Sequence, residues 1–529
     1  MKRKEFLNWV VYQIYPRSFR DSNGDGIGDL NGIVEKLDYL KELGVNAVWL
    51  SPCYKSPNCD NGYDISDYRD IMDEFGTLDD WKRMIFEMHA RGIKLVMDFV
   101  ANHTSSEHAW FKEARASRGN PYHDYYIWRD EIPNEWQSCF GGSAWEYNEP
   151  TGEYYLHSFA IGQPDLNWEN PRVRQEMRVI VDYWVGLGVD GFRCDVLNYI
   201  SKDFGRGDMC DGPRLHEYIK ELFGREETEN LFTVGECSYG EEEIEKICSE
   251  NRKELTCIFQ FDHFGIGRTG DKFVKAELDL NDLRRALVKW QEICERKNLL
   301  YTLFTDNHDQ AHYISRAGDD GKYRYECATA YCAMFYLLKG IPFIYQGQEW
   351  GTPDPHYSSV EDYCDVETIN YYNAHKEEIS EAELIARINF GSRDNARRPL
   401  CWTQGNNFGF GKGEPWTKLH TRGEEVNLEK DRASEKSVFA FYQKTLALRK
   451  ESEAVRYGSF ENRTRGEGYF AYVRKYGEEE ILVVINFGGK SEISGLPEWE
   501  YLFGNSCRRS ANGSYAPYET AVFRNRRKR

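Results

Sequence analysis

The chain has 529 residues, which exceeds the size of a single hydrophobic core, so we expect two or three domains. A formal net charge of -19 argues against nucleic acid as a partner, and no apolar run reaches the roughly 18 residues that a membrane span needs. Fourteen cysteines without a CxxC pair, and an N-terminus unlike a signal peptide, favour reduced thiols and a cytoplasmic location. We expect a monomer that acts on small molecules, with a solvated basic tail at residues 524–529.

One local pattern recurs along the first two thirds of the chain. A helix with apolar periodicity ends at a glycine, and a strand follows, at Gly44, Gly92, Gly188 and Gly340. Glycine suits the left-handed position just past a helix end, so each junction predicts a helix-to-strand connection. The predicted strands are residues 10–15, 47–50, 94–99, 191–195, 232–235, 257–261, 303–305 and 343–345. Eight strands separated by helices predict an α/β fold, the (β/α)8 TIM barrel.

The spacing of these strands also predicts the domain boundaries. The stretch between the third and fourth strands is far longer than one helix requires, and residues 103–169 are rich in Trp, Tyr, Gly and Pro. We therefore predict an excursion domain at 103–169, inserted in a barrel that spans 1–102 and 170–455. An irregular stretch at about 352–430 follows the eighth strand. Short β runs after the barrel predict a C-terminal antiparallel β-sandwich at 456–529.

Polar side chains interrupt the apolar strands at their C-terminal ends, where (β/α)8 enzymes carry their chemistry. Asp98 ends the third strand, Arg193 and Asp195 end the fourth, and Glu236 ends the fifth. The run 307–309, Asn-His-Asp, follows the seventh strand. A single carboxylate of this kind is more often a helix cap or a surface group. Four such sets on one barrel would converge on one rim and perturb each other's pKa values.

Two converging carboxylates suit the hydrolysis of a glycosidic bond, because one attacks the anomeric carbon while the other protonates the leaving oxygen. Asp195 lies two residues after Arg193, so both side chains point to the same face of the strand. We expect the guanidinium to keep Asp195 ionised, as a nucleophile requires. Glu236 follows a mostly apolar strand, and burial is expected to raise its pKa into the range of a general acid/base.

These segments resemble the conserved regions of the α-amylase family, glycoside hydrolase family 13, over essentially the whole chain. The matching segments are residues 98–103, 191–196, 235–236, 307–309 and 340–349. The resemblance implies a retaining α-glucosidase that releases single glucose units. In that family pattern Asp195 forms a covalent glucosyl intermediate and Glu236 acts as general acid and base. Asp309 then holds the 2- and 3-hydroxyls of the sugar.

The resemblance also implies which residues surround the bound glucose. Tyr63 and Asp64 are expected to form one wall of its subsite. Phe140 and Phe159 are expected to flank the pocket, with the core of the excursion domain as an equally weighted alternative. The remaining implied contacts are hydrogen bonds from His103, Arg193 and His308, and from Arg397, which would reach over the subsite.

Within the family the chain resembles oligo-1,6-glucosidases and dextran glucosidases, notably in residues 163–167. Val196, directly after Asp195, is the position linked in that group to α-1,6 preference, and relatives that prefer α-1,4 bonds tend to carry a smaller or hydroxylated residue there. A β-branched methyl group at this position would narrow the entrance beyond the cleaved bond. We therefore expect hydrolysis of isomaltose and short isomalto-oligosaccharides. The alternatives are an α-1,4-preferring maltase and a trehalose-6-phosphate hydrolase. Departures from the group's pattern occur at His312, Arg398 and residues 400–401, which are expected near the acceptor side.

A further motif near the N-terminus is typical of a cation-binding loop. Oxygen-bearing side chains stand at alternate positions of residues 21–29, and glycines at 24, 26 and 28 permit a tight wrap. The alternative is a turn rich in Asp and Asn without a metal. The segment resembles the structural calcium loop of α-glucosidases, so Ca²⁺ or Mg²⁺ is expected there. The expected ligands are Asp21, Asn23, Asp25, the carbonyl of Ile27, and Asp29.

Overall fold

Eight parallel strands form the centre of the fold in a computed structural model that describes residues 3–251 and 254–526. The strands are β1 Val11–Ile14, β2 Ala47–Leu50, β3 Lys94–Val100, β4 Gly191–Asp195, β5 Phe232–Gly235, β6 Cys257–Ile258, β7 Thr302–Leu303 and β8 Ile341–Tyr345. Their hydrogen-bonded order is β6-β5-β4-β3-β2-β1-β8-β7. Between β7 and β6 the hydroxyl of Thr302 donates to the carbonyl of Ile258 at 3.2 Å. The barrel predicted from the sequence is confirmed.

Helices connect the barrel strands and pack around them. The helix Pro171–Gly186 shows why the sequence folds this way: the Asn170 side chain caps it, and Val173 and Trp184 lie on its buried face. The glycines after the helices have left-handed φ values, such as 104° at Gly44 and 101° at Gly188. The other surrounding helices are Leu30–Glu35, Leu37–Leu43, Leu78–Ala90, Leu215–Phe223, Glu241–Cys248, Leu280–Lys297, Arg324–Tyr336 and Val438–Glu451.

Two insertions extend the rim at the C-terminal ends of the barrel strands. After β3 the chain forms the helix Ala109–Ala114 and an antiparallel sheet of Trp128–Arg129, Trp145–Asn148 and Glu153–Leu156. After β8 an irregular segment contains the helices Val366–His375, Glu381–Gly391 and Leu428–Ala433. The shorter helices Pro16–Phe19, Tyr313–Arg316 and Glu453–Tyr457, and the hairpin of Tyr54–Lys55 with Asp67–Ile71, complete the part before the C-terminal sheet.

The C-terminal region is an antiparallel sheet with a small ribbon packed on it. The ribbon pairs Ser491–Ile493 with Gly513–Tyr515. The last strand pairs Ile481 with Arg524, so residues 524–526 belong to the sheet and the predicted solvated tail is wrong for them. Residues 527–529 lie outside the described part of the chain. In spatial order the sheet contains Ser459–Asn462, Tyr469–Tyr476, Glu479–Asn486, Thr520–Arg526 and Glu500–Gly504.

The C-terminal sheet is buried on both faces, which fixes it to the barrel. Val473 and Leu482 face the ribbon side, within a separate apolar cluster. Phe470 and Tyr472 face the barrel, and the Tyr472 hydroxyl donates to the carbonyl of Ala333 at 3.0 Å. Buried cysteines such as Cys53, Cys194 and Cys332 are free thiols. Among the described residues, no helix has the length and apolar character needed to cross a bilayer.

Candidate active site

Charged side chains meet at the C-terminal ends of β3, β4 and β5. The strand register places Asp98 beside Arg193 and pairs Arg193 with Val234, two residues before Glu236. Arg193 Nη1 lies 2.8 Å from Asp98 Oδ1 and 2.7 Å from Asp195 Oδ1. Its Nη2 donates to Glu236 Oε2. One buried guanidinium therefore joins three carboxylates, and the structure brings the predicted pair Asp195 and Glu236 to the same group.

The pKa of Asp195 is shifted in the opposite direction to the one predicted. We expected Arg193 to keep Asp195 ionised, but burial and the neighbouring carboxylates outweigh its charge and raise the pKa of Asp195 well above the usual range. Burial also raises the pKa of Asp98 to about 6. The physical reason is that one guanidinium cannot neutralise three carboxylates out of water. Glu236 is less enclosed than its apolar strand suggested, since 19% of its side chain is exposed.

Asp309 follows β7 and is held by cationic and hydrogen-bonding neighbours. Its Oδ1 accepts a hydrogen bond from Arg397 Nη2 at 2.7 Å, and its Oδ2 lies 3.0 Å from His308 Nε2. Burial alone would raise the pKa of Asp309, but His308 and the guanidinium groups of Arg397 and Arg393 outweigh it and hold that pKa below the usual range. Asp309 is therefore an ionised acceptor, suited to binding hydroxyl groups.

A chain of hydrogen bonds joins His308 to the carboxylate cluster. Gln13 Nε2 lies 2.8 Å from His308 Nδ1, and burial lowers the pKa of His308 well below its usual value. A neutral ring that accepts at Nδ1 carries its proton on Nε2, which lies 2.5 Å from the Tyr63 oxygen. The Tyr63 hydroxyl donates to Asp98 Oδ2 at 3.1 Å. The Tyr63 ring also stacks on the His308 ring. The stacking and the hydrogen bonds together hold both rings in place.

The aspartate that faces the site from the loop after β2 is Asp60, whereas Asp64 was predicted. The Asp64 carboxylate is turned into its own loop, where it accepts hydrogen bonds from the Ser56 hydroxyl and from the backbone N–H groups of Cys59 and Asp60, all at 2.9 Å. Asp64 thus shapes the loop that presents Asp60. The resemblance rested on residues 62–67, which contain Asp64 but not Asp60, and the sequence alone could not tell which aspartate side chain turns toward the site.

Arg393 and Asp365 are further site residues that the sequence reasoning missed. Arg393 Nη2 lies 3.0 Å from Asp60 Oδ1 and 2.7 Å from Asp365 Oδ2. Arg397 Nη1 also contacts Asp365 Oδ2, at 3.1 Å. Asp365, Arg393 and Arg397 are each buried, and burial raises the pKa of Asp60 to about 6. This network closes one end of the site with alternating charges.

Phe140, Phe159 and His103 form the wall contributed by the inserted domain. The His103 and Phe159 ring centroids lie 5.3 Å apart, and those of Phe159 and Phe140 lie 5.7 Å apart. The guanidinium carbon of Arg393 lies 4.7 Å from the Phe140 ring centre. The apolar cluster of the inserted domain is formed by other residues, around Trp145. The geometry therefore favours the pocket position of both phenylalanines over the alternative of a domain core.

The positions at which the chain departs from the family pattern are buried and make local contacts. His312 is buried, and its Nδ1 lies 3.3 Å from Asp306 Oδ1. The Arg398 guanidinium lies 4.6 Å from the Tyr357 ring centre and donates to the carbonyl of Asp362 at 2.8 Å. The side chains at 400 and 401 are also buried. These residues contact the segment after β8 and its neighbours, and their effect on acceptor preference stays a prediction.

The loop at residues 21–29 has the donors that Ca²⁺ prefers, held by local hydrogen bonds. Asp21 Oδ1 accepts from the Gly24 N–H at 2.6 Å, and Asp25 Oδ1 accepts from the Ile27 N–H at 2.8 Å. Asp29 caps the following helix through the Gly32 N–H. Asn23 Oδ1 accepts from the backbone of Asp25 at 2.9 Å. Among the described residues no three His, Cys, Asp or Glu side chains converge as a metal cluster, although the oxygen donor chemistry fits Ca²⁺.

The glycines of this loop are needed for close packing. A Cβ at Gly26 would lie 1.7 Å from the carbonyl oxygen of Glu414, and one at Gly28 would lie 2.1 Å from that of Pro16. Gly24 and Gly26 also have left-handed φ values of 87° and 88°. The loop is therefore pinned between the start of the barrel and the segment after β8, whether or not a cation adds to its stability.

Paired carboxylates that share one guanidinium at the strand ends of a (β/α)8 barrel define the site of a glycoside hydrolase. The family model for the alpha amylase catalytic domain matches residues 13–458. The chain belongs to the α-amylase family of glycoside hydrolases.

Individual relatives cover nearly the whole chain. An oligo-1,6-glucosidase of Parageobacillus thermoglucosidasius is 47% identical over 94% of this chain and 93% of its own length. The trehalose-6-phosphate hydrolase structure of Bacillus licheniformis is 39% identical, with a TM-score of 0.91 over 99% of this chain and 100% of that one. The isomaltulose synthase structure of Erwinia rhapontici is 36% identical, with a TM-score of 0.93 over 98% of both chains. Similar folds of this family thus carry different activities.

Proposed function

We propose that the protein is a retaining, exo-acting α-glucosidase that hydrolyses α-1,6 bonds of isomaltose and short isomalto-oligosaccharides. The observation that carries this proposal is that Asp195 and Glu236 both bind the Arg193 guanidinium. Two carboxylates within reach of one planar group are close together, and a short separation is typical of retaining enzymes. An inverting enzyme needs a wider gap that admits a water molecule between its carboxylates and the sugar.

In the first step the Asp195 carboxylate attacks the anomeric carbon, and the bond from that carbon to the leaving oxygen breaks. Glu236 gives its proton to the leaving oxygen, so the acceptor sugar departs as a neutral alcohol. In the second step Glu236 removes a proton from water, and the water oxygen displaces Asp195 from the anomeric carbon. Two displacements return glucose in its original α-configuration and restore both carboxyl groups.

The ionisation of the carboxylate cluster is compatible with these two reaction steps. The first step requires one proton on the pair formed by Asp195 and Glu236, located on Glu236. The raised pKa of Asp195 indicates that the free site takes up a proton readily. In the transition state the anomeric carbon of the bound sugar becomes positive. This charge stabilises the ionised form of Asp195, because opposite charges attract strongly in a low-dielectric site. Arg193 acts in the same direction.

The charged network opposite the carboxylate pair supports release of single glucose units. Arg393 bridges Asp60 and Asp365, and Arg397 joins Asp365 to Asp309. A pocket closed by buried, mutually paired side chains admits a terminal sugar but not a continuing chain. The same carboxylates and guanidinium groups offer hydrogen bonds to the hydroxyls of that terminal glucose.

Val196 is the residue we propose as the selector of α-1,6 bonds. It has φ 34° and ψ 45°, a strained left-handed conformation for a β-branched residue, directly after Asp195. Val196→Thr replaces one of the two methyl groups by a hydroxyl, and Val196→Ala removes both methyl groups, so each variant takes away apolar bulk proposed to narrow the entrance. Both should raise maltose hydrolysis relative to isomaltose hydrolysis, by about 10-fold or more for Ala. The check is kcat/KM for both disaccharides, and an unchanged ratio would remove Val196 as the selector.

A phosphorylated substrate is the second candidate, because relatives named trehalose-6-phosphate hydrolase also match the whole chain. A bound phosphate needs cationic side chains whose charge is not already balanced by carboxylates. Arg193, Arg393 and Arg397 are each already bound to two or more carboxylates, and Lys272 pairs with Glu367. This charge balance favours a neutral disaccharide.

The test of the proposed function is glucose release by purified protein from isomaltose, maltose and trehalose 6-phosphate in parallel. Faster hydrolysis of isomaltose supports the proposal. Faster hydrolysis of maltose retains the carboxylate mechanism but overturns the linkage preference. Activity confined to trehalose 6-phosphate would make that compound, and not isomaltose, the substrate. The anomer released at early times, followed by proton NMR, separately tests retention, since an initial β-glucose signal contradicts the two-step mechanism.

We also propose that the loop at 21–29 binds Ca²⁺ as a structural ion. A saturating ion should stabilise the folded state by about 3 kcal/mol at a hundredfold excess over its dissociation constant. Thermal unfolding should therefore occur at higher temperature with Ca²⁺ than with EDTA. Asp25 is exposed, and its carboxylate accepts hydrogen bonds from Asn23 Nδ2 and from the Ile27 N–H. The substitution Asp25→Asn should abolish that difference. Equal melting temperatures for the wild type with Ca²⁺ and with EDTA would show that the loop is a metal-free turn.

A further inference from the structure

Gln13 is a buried glutamine of the barrel that the proposed mechanism does not use. It lies on β1, where the strand register places it between Trp49 of β2 and Tyr345 of β8. Only 1% of its surface is exposed. A side-chain amide brings two N–H donors and one carbonyl acceptor out of water, which is unfavourable unless new hydrogen bonds replace those to water. The partners of the Gln13 amide therefore indicate what this residue does.

The Gln13 amide uses its nitrogen and leaves its oxygen without a partner. Nε2 donates to Ser51 Oγ at 3.1 Å and lies 2.8 Å from His308 Nδ1. Within the described part of the chain, the buried Oε1 atom accepts no hydrogen bond. A buried carbonyl oxygen without a donor is unfavourable and needs an explanation. The side chain is thus placed so that its two N–H groups are satisfied and its oxygen is not.

The surroundings of His308 Nε2 show where the proton of this ring must lie. Nε2 lies 3.0 Å from Asp309 Oδ2. The pKa of Asp309 is held below its usual range by His308 and the nearby guanidinium groups, so this carboxylate is ionised and can only accept hydrogen bonds. Without a proton on Nε2, two lone pairs would face each other across that contact. The proton therefore belongs on Nε2, which leaves Nδ1 as an acceptor for the Gln13 N–H.

The alternative tautomer would also change the bonding of Tyr63. Its hydroxyl oxygen lies 2.5 Å from His308 Nε2 and 3.1 Å from Asp98 Oδ2. If Nε2 had no proton, the single hydroxyl hydrogen of Tyr63 would bind either the ring or the Asp98 carboxylate, but not both. With the proton on Nε2, the ring donates to Tyr63 and the hydroxyl donates to Asp98. The tautomer of His308 thus affects the contacts of two carboxylates of the site, Asp98 and Asp309.

We infer that Gln13 is a positioning residue: by donating to Nδ1 it holds His308 in the tautomer that directs Nε2–H towards Asp309 and the hydroxyls of the bound glucose. Gln13 acts through the imidazole ring, and its own orientation is fixed by the second hydrogen bond, to Ser51. The inference rests on the proposed function, because it assumes that a glucosyl unit is bound beside His308 and Asp309.

The first test removes the donor without changing the length of the side chain. Gln13→Met should lower kcat/KM for isomaltose and for 4-nitrophenyl α-glucoside by about tenfold, the value of one hydrogen bond to the substrate. The unfolding temperature should stay close to that of the wild type, because the amide that is lost was only partly satisfied. Ser51→Ala is the matched control: it removes the other hydrogen bond of the amide, and kcat/KM should not change. Equal activity of Gln13→Met and wild type would overturn the inference.

A double-mutant cycle separates an effect through His308 from a general loss of packing around β1. In a His308→Leu background there is no imidazole to orient, so adding Gln13→Met should change kcat/KM for 4-nitrophenyl α-glucoside by less than about twofold. A further tenfold loss in that background would mean that Gln13 acts independently of His308, and the inference would fall. If Gln13→Met does not fold, Gln13→Glu, which has nearly the same shape, takes its place in the cycle.

NMR of protein labelled with ¹⁵N-histidine tests the tautomer without any substrate. The chain has 12 histidines, and the signals of His308 are those that disappear in His308→Leu. In the wild type we expect a protonated Nε2 and an unprotonated Nδ1, which differ widely in ¹⁵N chemical shift. Gln13→Glu offers an acceptor where the donor was and should place a proton on Nδ1. A wild-type ring that is protonated at Nδ1 would overturn the inference.

The two kinds of measurement separate this inference from the proposed function. If the wild type does not hydrolyse α-glucosides but shows the expected tautomer, and Gln13→Glu moves the proton, the proposed function fails while the control of the His308 tautomer by Gln13 is supported. If the wild type hydrolyses isomaltose but the tautomer is the same in the wild type and in Gln13→Glu, the proposed function stands and the inference is overturned.

Discussion

Replacing Asp195 by Asn should lower the turnover of isomaltose by at least about 10⁴-fold, because the amide cannot form the glucosyl ester on which the two-step mechanism depends. Asn has nearly the same shape as Asp, and its oxygen can still accept the hydrogen bond from Arg193. Arg193 also keeps its contacts with Asp98 and Glu236. The measurement is the initial rate of glucose release at saturating isomaltose, together with the thermal unfolding temperature.

The fold should tolerate this substitution. Removing a buried carboxylate whose pKa is raised by burial relieves part of the charge mismatch around Arg193, so the unfolding temperature should stay equal or rise. Asp208→Asn is the matched control, since Asp208 is an exposed aspartate with a long ion pair at 3.6 Å. A variant at Asp195 that keeps more than about a tenth of wild-type turnover would refute its role as nucleophile.

The barrel and the order of its catalytic segments could be predicted because local signals repeat. Three of the four predicted helices end one or two residues before a glycine with a left-handed φ, as at Gly92 (73°). The fourth ends at Tyr336, and Gly340 follows four residues later. Parallel strands in register then place the residues at their ends on one rim. The meeting of Asp98, Asp195 and Glu236 around Arg193 follows from this register, which the order of strands along the chain already implies.

The features that could not be predicted depend on the orientation of individual side chains and on their exposure to solvent in the folded protein. Asp60 and Asp64 lie in the same short loop. Only the folded conformation of that loop shows which of the two carboxylates accepts hydrogen bonds from backbone N–H groups. The pKa of Asp195 depends on the number of buried carboxylates that share Arg193, which no adjacent pair of residues reveals. Arg393 and Asp365 are distant in sequence from Asp60, so their contact needed the fold.

The strand character of residues 524–526 illustrates the same limit. A run of basic residues at the end of a chain usually remains in solvent, and its composition gave no sign of pairing. In the folded chain Arg524 Nε lies 3.3 Å from Glu479 Oε1, and the residues opposite the run include two glutamates, Glu479 and Glu480. Cross-strand charge complementarity with a distant segment therefore outweighs the local preference for a solvated tail.

Replacing Glu236 by Gln should lower isomaltose turnover by about 10²–10⁴-fold, the usual contribution of a general acid/base. The size of the loss should depend on the leaving group. A sugar hydroxyl is a poor leaving group and needs the proton of Glu236, whereas 4-nitrophenolate leaves without one. Formation of the glucosyl intermediate from 4-nitrophenyl α-glucoside should therefore be much less impaired, and its breakdown by water should become rate-limiting because water has lost its base.

This difference distinguishes the role of Glu236 from that of Asp195. An Asp195→Asn enzyme has no nucleophile, so it should lose activity on both substrates alike. A Glu236→Gln enzyme should release 4-nitrophenol in an initial burst, and added azide, which needs no base, should restore steady turnover of the aryl glucoside but not of isomaltose. The shared guanidinium keeps the site in place, since a Gln oxygen can accept from Arg193 Nη2 as the carboxylate does. Equal losses on the two substrates, without a burst or azide rescue, would contradict the assignment of Glu236 as acid and base.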